Sequence, residues 1–104
     1  MGMRKKQSLI DRGVEEFRLI PDAVLLDVRS REEYRLGHIP NSKNVPLQNL
    51  DRAEELFDMA DVPLFVYCRS GIRSKQAAAL LRYMGYSDVR NIGGILSYSG
   101  ELEQ

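Results

Sequence analysis

Apolar residues along the chain follow two different spacings, which predict strands that alternate with helices. Two short stretches are continuously apolar, as in strands buried on both faces of a parallel sheet, and a third short strand follows them: residues 23–28, 64–68 and 89–92. Three longer stretches place apolar side chains on one face at helical spacing: residues 9–20, 49–60 and 73–84. This order predicts an α/β fold with a mainly parallel sheet. In the last helix, the side chains predicted to face the core are Ala77, Leu80, Leu81 and Met84.

Polar residues mark the predicted boundaries of the shorter elements. Ser30 and Glu33 match a capping box, in which each side chain bonds the other residue's backbone amide, so a short helix is predicted there. The turn-rich residues 38–44 are predicted to form a connector. Residues 45–46 are predicted to be no more than an edge segment, and Asn49 is predicted to cap the following helix.

Length and charge limit the classes of protein to which the chain can belong. Its 104 residues suit one compact domain, residues 1–104, with a core expected at about residues 9–98. Because Lys+Arg and Asp+Glu both number 15, no long-range field attracts nucleic acid or an acidic membrane. No apolar run approaches the roughly 20 residues of a membrane span, and the basic start lacks the apolar stretch of a secretory signal. A cytoplasmic protein without nucleic-acid or membrane partners is therefore predicted.

The only cysteine, Cys68, ends a predicted buried strand just before a helix. A lone cysteine forms neither an internal disulfide, nor a Cys-x-x-Cys redox pair, nor a four-ligand zinc site. The loop contains Gly71, and its amides should converge with the helix N-terminus on one point. Arg69 and Arg73 favour the thiolate, which is the nucleophilic form. A buried structural cysteine, the alternative, has no need of two nearby arginines, so Cys68 is predicted to be a nucleophile.

Residues 68–74, Cys-Arg-Ser-Gly-Ile-Arg-Ser, resemble the active loop of the rhodanese family, which typically runs Cys-Arg-x-Gly-x-Arg-Ser. Residues 25–29, 33–34 and 37–40 resemble the family's first signature, and residues 85–86 before Val89, with 93–94, resemble its C-terminal one. Together these segments span residues 23–98 in the family's order. Two positions depart from the pattern: Asn41-Ser42 replaces the usual Gly-Ala, and Tyr98 stands where tryptophan is common.

The resemblance implies a rhodanese-like fold, with helices on both faces of the sheet, and a sulfurtransferase activity. In this family the loop cysteine takes the sulfane sulfur of a donor such as thiosulfate, and the persulfide then passes it to a thiol or cyanide. The chemistry that the resemblance implies needs no metal or cofactor. Catalysis is thus assigned to Cys68, and structural support to Asp27 and Arg29. Substrate binding is assigned to the rest of the loop: Arg69, Ser70, Gly71, Ile72, Arg73 and Ser74. The expected partners are a small-molecule sulfur donor and a thiol or protein sulfur acceptor, and the expected state is a monomer or weak homodimer.

The sequence leaves alternatives for the roles of single residues and for the function of the protein. Arg69 is interpreted as facing an anionic donor rather than only solvent, and Arg73 as bracing the loop against an acidic partner. His38 is interpreted as structural rather than as a general base. A persulfide carrier for a specific partner would use the same chemistry. A cysteine-dependent phosphatase or arsenate reductase is disfavoured, because that cradle has five residues between cysteine and arginine and this loop has four.

Overall fold

The structure, a computed structural model, describes residues 7–104. Four strands and three α-helices alternate along these residues, together with two 3₁₀ segments. The α-helices are α1 (Leu9–Leu19), α2 (Arg31–Leu36) and α3 (Ile72–Tyr83). The strands are β1 (Val24–Asp27), β2 (Ser42–Asn44), β3 (Leu64–Cys68) and β4 (Val89–Gly94). The 3₁₀ segments are Leu47–Glu55 and Ile95–Ser97.

All strand pairs in the sheet are parallel, and the strand order is β2-β1-β3-β4. The central strand β3 is buried along its whole length, as its continuous apolar sequence predicts. Side chains alternate between the two faces, so Leu64, Val66 and Cys68 pack on one side and Phe65 and Tyr67 on the other. The sheet confirms the predicted α/β fold.

Helices cover both faces of the sheet, and α1 and α3 each contribute an apolar stripe, whereas α2 buries no residue. Helix α1 packs Ile10 and Val14 against the face that carries Phe65. Helix α3 and the first 3₁₀ segment cover the opposite face through Ala77, Leu81 and Leu50. Among the described residues, no helix is long and apolar enough to cross a membrane, and no group of three His, Cys, Asp or Glu side chains is arranged to hold a metal ion.

Three local expectations from the sequence are wrong. The edge strand is residues 42–44 rather than 45–46, because Ser42, Lys43 and Asn44 pair with β1 through their backbones. The next helical segment begins at Leu47 after Pro46, and Asn49 lies within it at a kink instead of capping it. Leu80 of α3 is 41% exposed, because the side chains of this helix that pack into the core are those of Ala77, Ala78 and Leu81.

Candidate active site

Cys68 lies at the carboxyl end of β3, where the chain turns abruptly into α3. Gly71 makes this turn with φ of 104°, a left-handed conformation that side-chain-bearing residues rarely adopt. The loop is tied to the 3₁₀ segment that follows β4, because the Leu96 amide donates to the Arg69 carbonyl at 3.2 Å. The strand–loop–helix unit predicted around the cysteine is therefore present.

The sulfur of Cys68 is buried among hydrogen-bond partners from its own loop. The Gly71 amide donates to Sγ at 3.0 Å, and Sγ lies 3.4 Å from the Ser74 hydroxyl oxygen. Burial of the sulfur raises the thiol pKa, but the Ser74 hydroxyl and three backbone amides outweigh this effect, so the pKa of Cys68 is lowered from its ordinary value. The amides belong to Ser70, Gly71 and Ser74. The site thus favours the nucleophilic thiolate.

Behind the sulfur, the buried Ser74 hydroxyl meets Asn91 of β4, which sequence reasoning missed. The distance from Ser74 Oγ to Asn91 Oδ1 is 2.7 Å, and the Gly93 amide donates to the same Oδ1 at 3.0 Å. A polar residue in the middle of a predicted strand, two positions before a glycine, is the only sequence signal for this contact. The side chain of Asn91 therefore joins the last strand to the active loop.

The two loop arginines have different surroundings. Arg73 donates from both terminal nitrogens to the Glu33 carboxylate, at 2.7 and 2.9 Å. Glu33 is thus an acidic partner of the kind expected for Arg73, and the hydrogen bonds from Arg73 and from Ser30 lower the pKa of Glu33 to about 2. Arg69 is exposed, and its side chain makes no ion pair or hydrogen bond with any residue from 7 to 104. Within the described residues the Arg69 guanidinium is thus unpaired, unlike that of Arg73.

An open depression of about 420 Å³ lies at the mouth of the loop. Its residues combine exposed apolar side chains with charged groups: Arg29, Glu33, Leu36, Gly37, Arg69, Ile95, Leu96 and Leu102. Ile72, the first residue of α3, is 70% exposed, and the Ser70 side chain also faces solvent. The loop residues predicted to bind substrate thus lie around one site, and the Ser70, Gly71 and Ser74 amides are the ones beside the sulfur itself.

A buried ion pair supports the neighbouring loop after β1. Arg29 donates to both carboxylate oxygens of Asp27 at 2.7 to 3.0 Å and to the Gly37 carbonyl at 2.7 Å. Burial alone would lower the pKa of Arg29, but the hydrogen bonds and charge of Asp27 raise it. Asp27 is fully buried and Arg29 is nearly so, and the pair ties the end of β1 to the Gly37 carbonyl that follows α2.

Two further contacts fix the surroundings of the loop. The ring of His38 stacks on Tyr34 with centroids 3.8 Å apart, and its Nδ1 lies 2.8 Å from the Tyr34 carbonyl oxygen, which agrees with a structural role. Gly94 of β4 passes so close to the active loop that a Cβ atom there would overlap the Arg69 carbonyl and Ser70. The loop is therefore held from the β1 side and from the β4 side.

Comparisons with known proteins agree with this geometry. A family model described as "Rhodanese-like domain" matches residues 6–101. A tRNA uridine(34) hydroxylase of Salmonella paratyphi B is 36% identical over 85 residues, which are 76% of this chain and 24% of that protein. The chain thus spans about a quarter of the length of the curated relatives it matches.

Solved structures share both the fold and a comparable level of identity. An E. coli rhodanese solved with anions is 30% identical with a TM-score of 0.73, covering 79% of this chain and 98% of that one. The human single-domain sulfurtransferase TSTD1 is 31% identical with a TM-score of 0.69, covering 80% of this chain and 85% of that one. With the family model, the four-stranded parallel sheet and the cysteine loop in agreement, the chain belongs to the rhodanese-like domain family.

Proposed function

We propose that the protein is a sulfurtransferase that moves a sulfane sulfur from thiosulfate or a similar donor to a thiol or cyanide through a persulfide on Cys68. The observation that carries this proposal is the sulfur itself, which accepts the Gly71 amide at 3.0 Å within a loop of converging donors. Such a cradle stabilises negative charge on a sulfur atom, whether it is a thiolate or a persulfide. A sulfurtransferase among the structural relatives supports the same chemistry.

The proposed cycle has two displacements. The Cys68 thiolate attacks the outer sulfur of thiosulfate, the S–S bond of the donor breaks, and sulfite leaves with the bonding electron pair. An acceptor thiolate or cyanide then attacks the outer sulfur of the Cys68 persulfide. The product is an acceptor persulfide or thiocyanate, and the Cys68 thiolate is regenerated. Sulfur transfer needs no external oxidant or reductant in this scheme.

The proposed donor site is the depression beside Arg69. Thiosulfate carries two negative charges, and Arg69 is an exposed guanidinium that no carboxylate from residues 7 to 104 neutralises. Arg73 is less suited to this role, since Glu33 occupies both of its terminal nitrogens. We assign donor recognition to Arg69 and loop support to Arg73.

Intact-mass analysis after incubation with thiosulfate tests the central step. The wild-type protein should gain one sulfur atom, and peptide mapping should place it on Cys68. Cys68→Ser should gain none and lose all sulfur transfer, because a hydroxyl is a far poorer nucleophile toward sulfur. Its unfolding midpoint serves as the control for folding, and a folded wild-type protein without the adduct would contradict the proposal.

A dedicated persulfide carrier is the second candidate, and the apolar mouth of the site favours it. Leu36, Leu96 and Leu102 are 72%, 65% and 49% exposed around the depression, which suits a protein acceptor better than cyanide. The two candidates differ in how long the persulfide lasts. A carrier keeps its persulfide in the presence of a small thiol, whereas an enzyme for small acceptors loses it rapidly. Timed intact-mass analysis after thiol addition distinguishes them.

A phosphatase or arsenate reductase remains a weaker alternative. In such a cradle the arginine after the loop has to reach an oxyanion on the cysteine sulfur, whereas Arg73 is bound to Glu33. We expect no Cys68-dependent hydrolysis of an aryl phosphate under conditions where sulfur transfer is readily measured. Hydrolysis that is lost in Cys68→Ser would overturn the assignment.

The cellular setting is proposed on the sequence alone. We propose a cytoplasmic protein with a small-molecule donor, no nucleic-acid or membrane partner, and a monomeric or weakly dimeric state. The hydroxylation of uridine named for the Salmonella relative concerns a protein of which this chain matches 24%. Our proposal for this chain is limited to the sulfur-transfer step.

A further inference from the structure

One hydroxyl hydrogen beside the active sulfur has more acceptors than it can serve. Ser74 is fully buried, and its Oγ lies within hydrogen-bonding distance of three oxygens and one sulfur. The oxygens are Asn91 Oδ1 at 2.7 Å, the Gly71 carbonyl at 3.1 Å and the Gly93 carbonyl at 3.4 Å, and the sulfur is Cys68 Sγ at 3.4 Å. A serine hydroxyl donates a single hydrogen, so these acceptors compete.

The identity of the Asn91 atom that faces Ser74 follows from Gly93. The Gly93 amide can only donate, and it points at the same Asn91 atom from 3.0 Å, so this atom is the amide oxygen. An amide oxygen only accepts, and the Ser74 hydroxyl must therefore donate to it. The Ser74 oxygen is then left to accept the S–H hydrogen of the protonated Cys68. A chain of hydrogen bonds runs from the sulfur through Ser74 to Asn91.

We propose that Asn91 is a positioning residue that holds the Ser74 hydroxyl hydrogen away from the protonated sulfur and gives it up when the thiolate forms. This inference rests on the proposed function only in that the thiolate of Cys68 is the reactive species. When the thiol releases its proton to water, the S–H donor is lost and the sulfur becomes the most strongly accepting atom near Ser74. The hydroxyl then turns toward the sulfur, and the Asn91 oxygen continues to accept the hydrogen bond from the Gly93 amide.

This competition makes Asn91 oppose ionisation of Cys68, while Ser74 favours it. The wild-type thiolate gains the Ser74 hydrogen bond only by breaking the short bond between Ser74 and Asn91. Without the Asn91 oxygen, the hydroxyl would be held only by the longer contacts to the two carbonyls. The thiolate should then form at lower pH, since less is lost when the hydroxyl turns.

The rate of alkylation by iodoacetamide against pH measures this effect, because Cys68 is the only thiol. Asn91→Ala should lower the midpoint by about half a pH unit, the size of one neutral hydrogen bond. Asn91→Asp should raise it, because a carboxylate holds the hydroxyl hydrogen more strongly and adds negative charge. If Asn91 only supports the structure, the midpoint should rise in both variants, because a loosened loop removes amide donors from the sulfur. Two upward shifts, or no shift in Asn91→Ala, would overturn the inference.

A double-variant cycle tests whether Asn91 acts through Ser74. Ser74→Ala should raise the midpoint by about one pH unit, since a hydrogen bond to charged sulfur is lost. In that background Asn91→Ala should cause no further change, whereas an undiminished shift would contradict the inference. Asn44→Ala is the matched control, because Asn44 is also half-buried and its amide bridges the backbone carbonyls of Asp27 and Arg29 instead of bonding Ser74. Alkylation needs no sulfur donor, so these results stand even where thiosulfate gives no persulfide.

Discussion

The two ends of the parallel sheet carry cavities of similar size but different chemistry. At the amino end, residues from two segments, 21–24 and 56–63, line about 460 Å³, and the lining is mostly apolar with carboxylates at its exposed edge. At the carboxyl end, the depression of about 420 Å³ adjoins the hydrogen-bonded loop of Cys68. Cavity volume therefore does not distinguish the reactive end from the other. The difference lies in the hydrogen-bond donors that converge at the carboxyl end.

Parallel strands explain why the donors collect at one end only. Helix α3 begins directly after β3, so its free N-terminal amides face the carboxyl end of the sheet. At the amino end the chain enters the strands after Pro21-Asp22 and Val62-Pro63, and the proline nitrogens have no hydrogen to donate. An anionic sulfur is therefore stabilised at the carboxyl end, where the Ser70, Gly71 and Ser74 amides surround Cys68. Substitutions at the two ends should therefore differ in kind.

The largest effect on stability is expected from the buried pair at the carboxyl end. Asp27→Asn should lower the free energy of unfolding by about 3 kcal/mol, because Arg29 would stay buried without its countercharge. Urea denaturation at neutral pH measures this change. A loss below about 1 kcal/mol would mean that the Gly37 carbonyl and solvent suffice for Arg29.

The next effect concerns donor binding at the same end. Arg69→Ala should raise KM for thiosulfate about tenfold, with little change in stability, because an exposed charge-assisted contact is lost. Since the side chain is exposed, the difference should shrink as salt is added. Arg69→Lys, which keeps the charge, should recover part of the loss. An unchanged KM in Arg69→Ala would show that this arginine only faces solvent.

A smaller effect is expected from the half-exposed pair that braces the loop. Glu33→Gln should cost about 1 kcal/mol of stability at neutral pH, because glutamine preserves the capping box with Ser30 but not the ion pair with Arg73. The folded-state pKa of Glu33, about 2, is below the ordinary 4.5. The stability from this carboxylate is thus present above about 4.5 and lost as pH falls toward 2.

Acid denaturation compares the wild-type protein with Glu33→Gln over that pH range. The difference in their free energies of unfolding should shrink as the acid protonates Glu33. A difference that does not depend on pH would attribute the effect to packing rather than to the ion pair.

The smallest effect is expected at the amino end. Met59 is 65% exposed at the rim of the larger cavity, and Met59→Ser should change stability by less than about 0.5 kcal/mol and leave sulfur transfer unaltered. Steady-state transfer from thiosulfate, measured beside Arg69→Ala, provides the comparison. A loss of transfer in Met59→Ser would show that the amino end takes part in the reaction.

Features set by local pattern could be predicted from the sequence. The continuous apolar run of β3, the capping box at Ser30 and the glycine in the active loop each depend on neighbours within a few residues, and all three are present. The strand β2 could not be predicted in this way. Its residues Ser-Lys-Asn have no apolar pattern, because the strand lies at the edge of the sheet and is held through its backbone.

Contacts between distant residues were beyond the sequence patterns. An acidic partner for Arg73 was expected, but Glu33 lies 40 positions away and was interpreted as part of a capping box and of the first signature, not as that partner. Asn91 was likewise interpreted only as a strand residue, since its approach to Ser74 depends on how β4 lies beside β3. The pattern predicted where the reactive loop would lie, whereas the groups that support it come from the tertiary fold.

The close passage of Gly94 beside the loop limits what evolution or a selection experiment can do with this scaffold. Its backbone dihedrals, φ −123° and ψ 140°, are open to any amino acid, so conformational freedom is not the requirement. The requirement is space, because a Cβ atom would overlap the Arg69 carbonyl. In a saturation library at this codon, even alanine should be eliminated. At position 85 a Cβ atom would meet nothing within 4 Å, so only the backbone conformation limits which residues are tolerated there. Gly94 and Gly85 are thus constrained for different reasons, one by space and one by backbone conformation. A profile of the substitutions that each position tolerates would distinguish the two constraints.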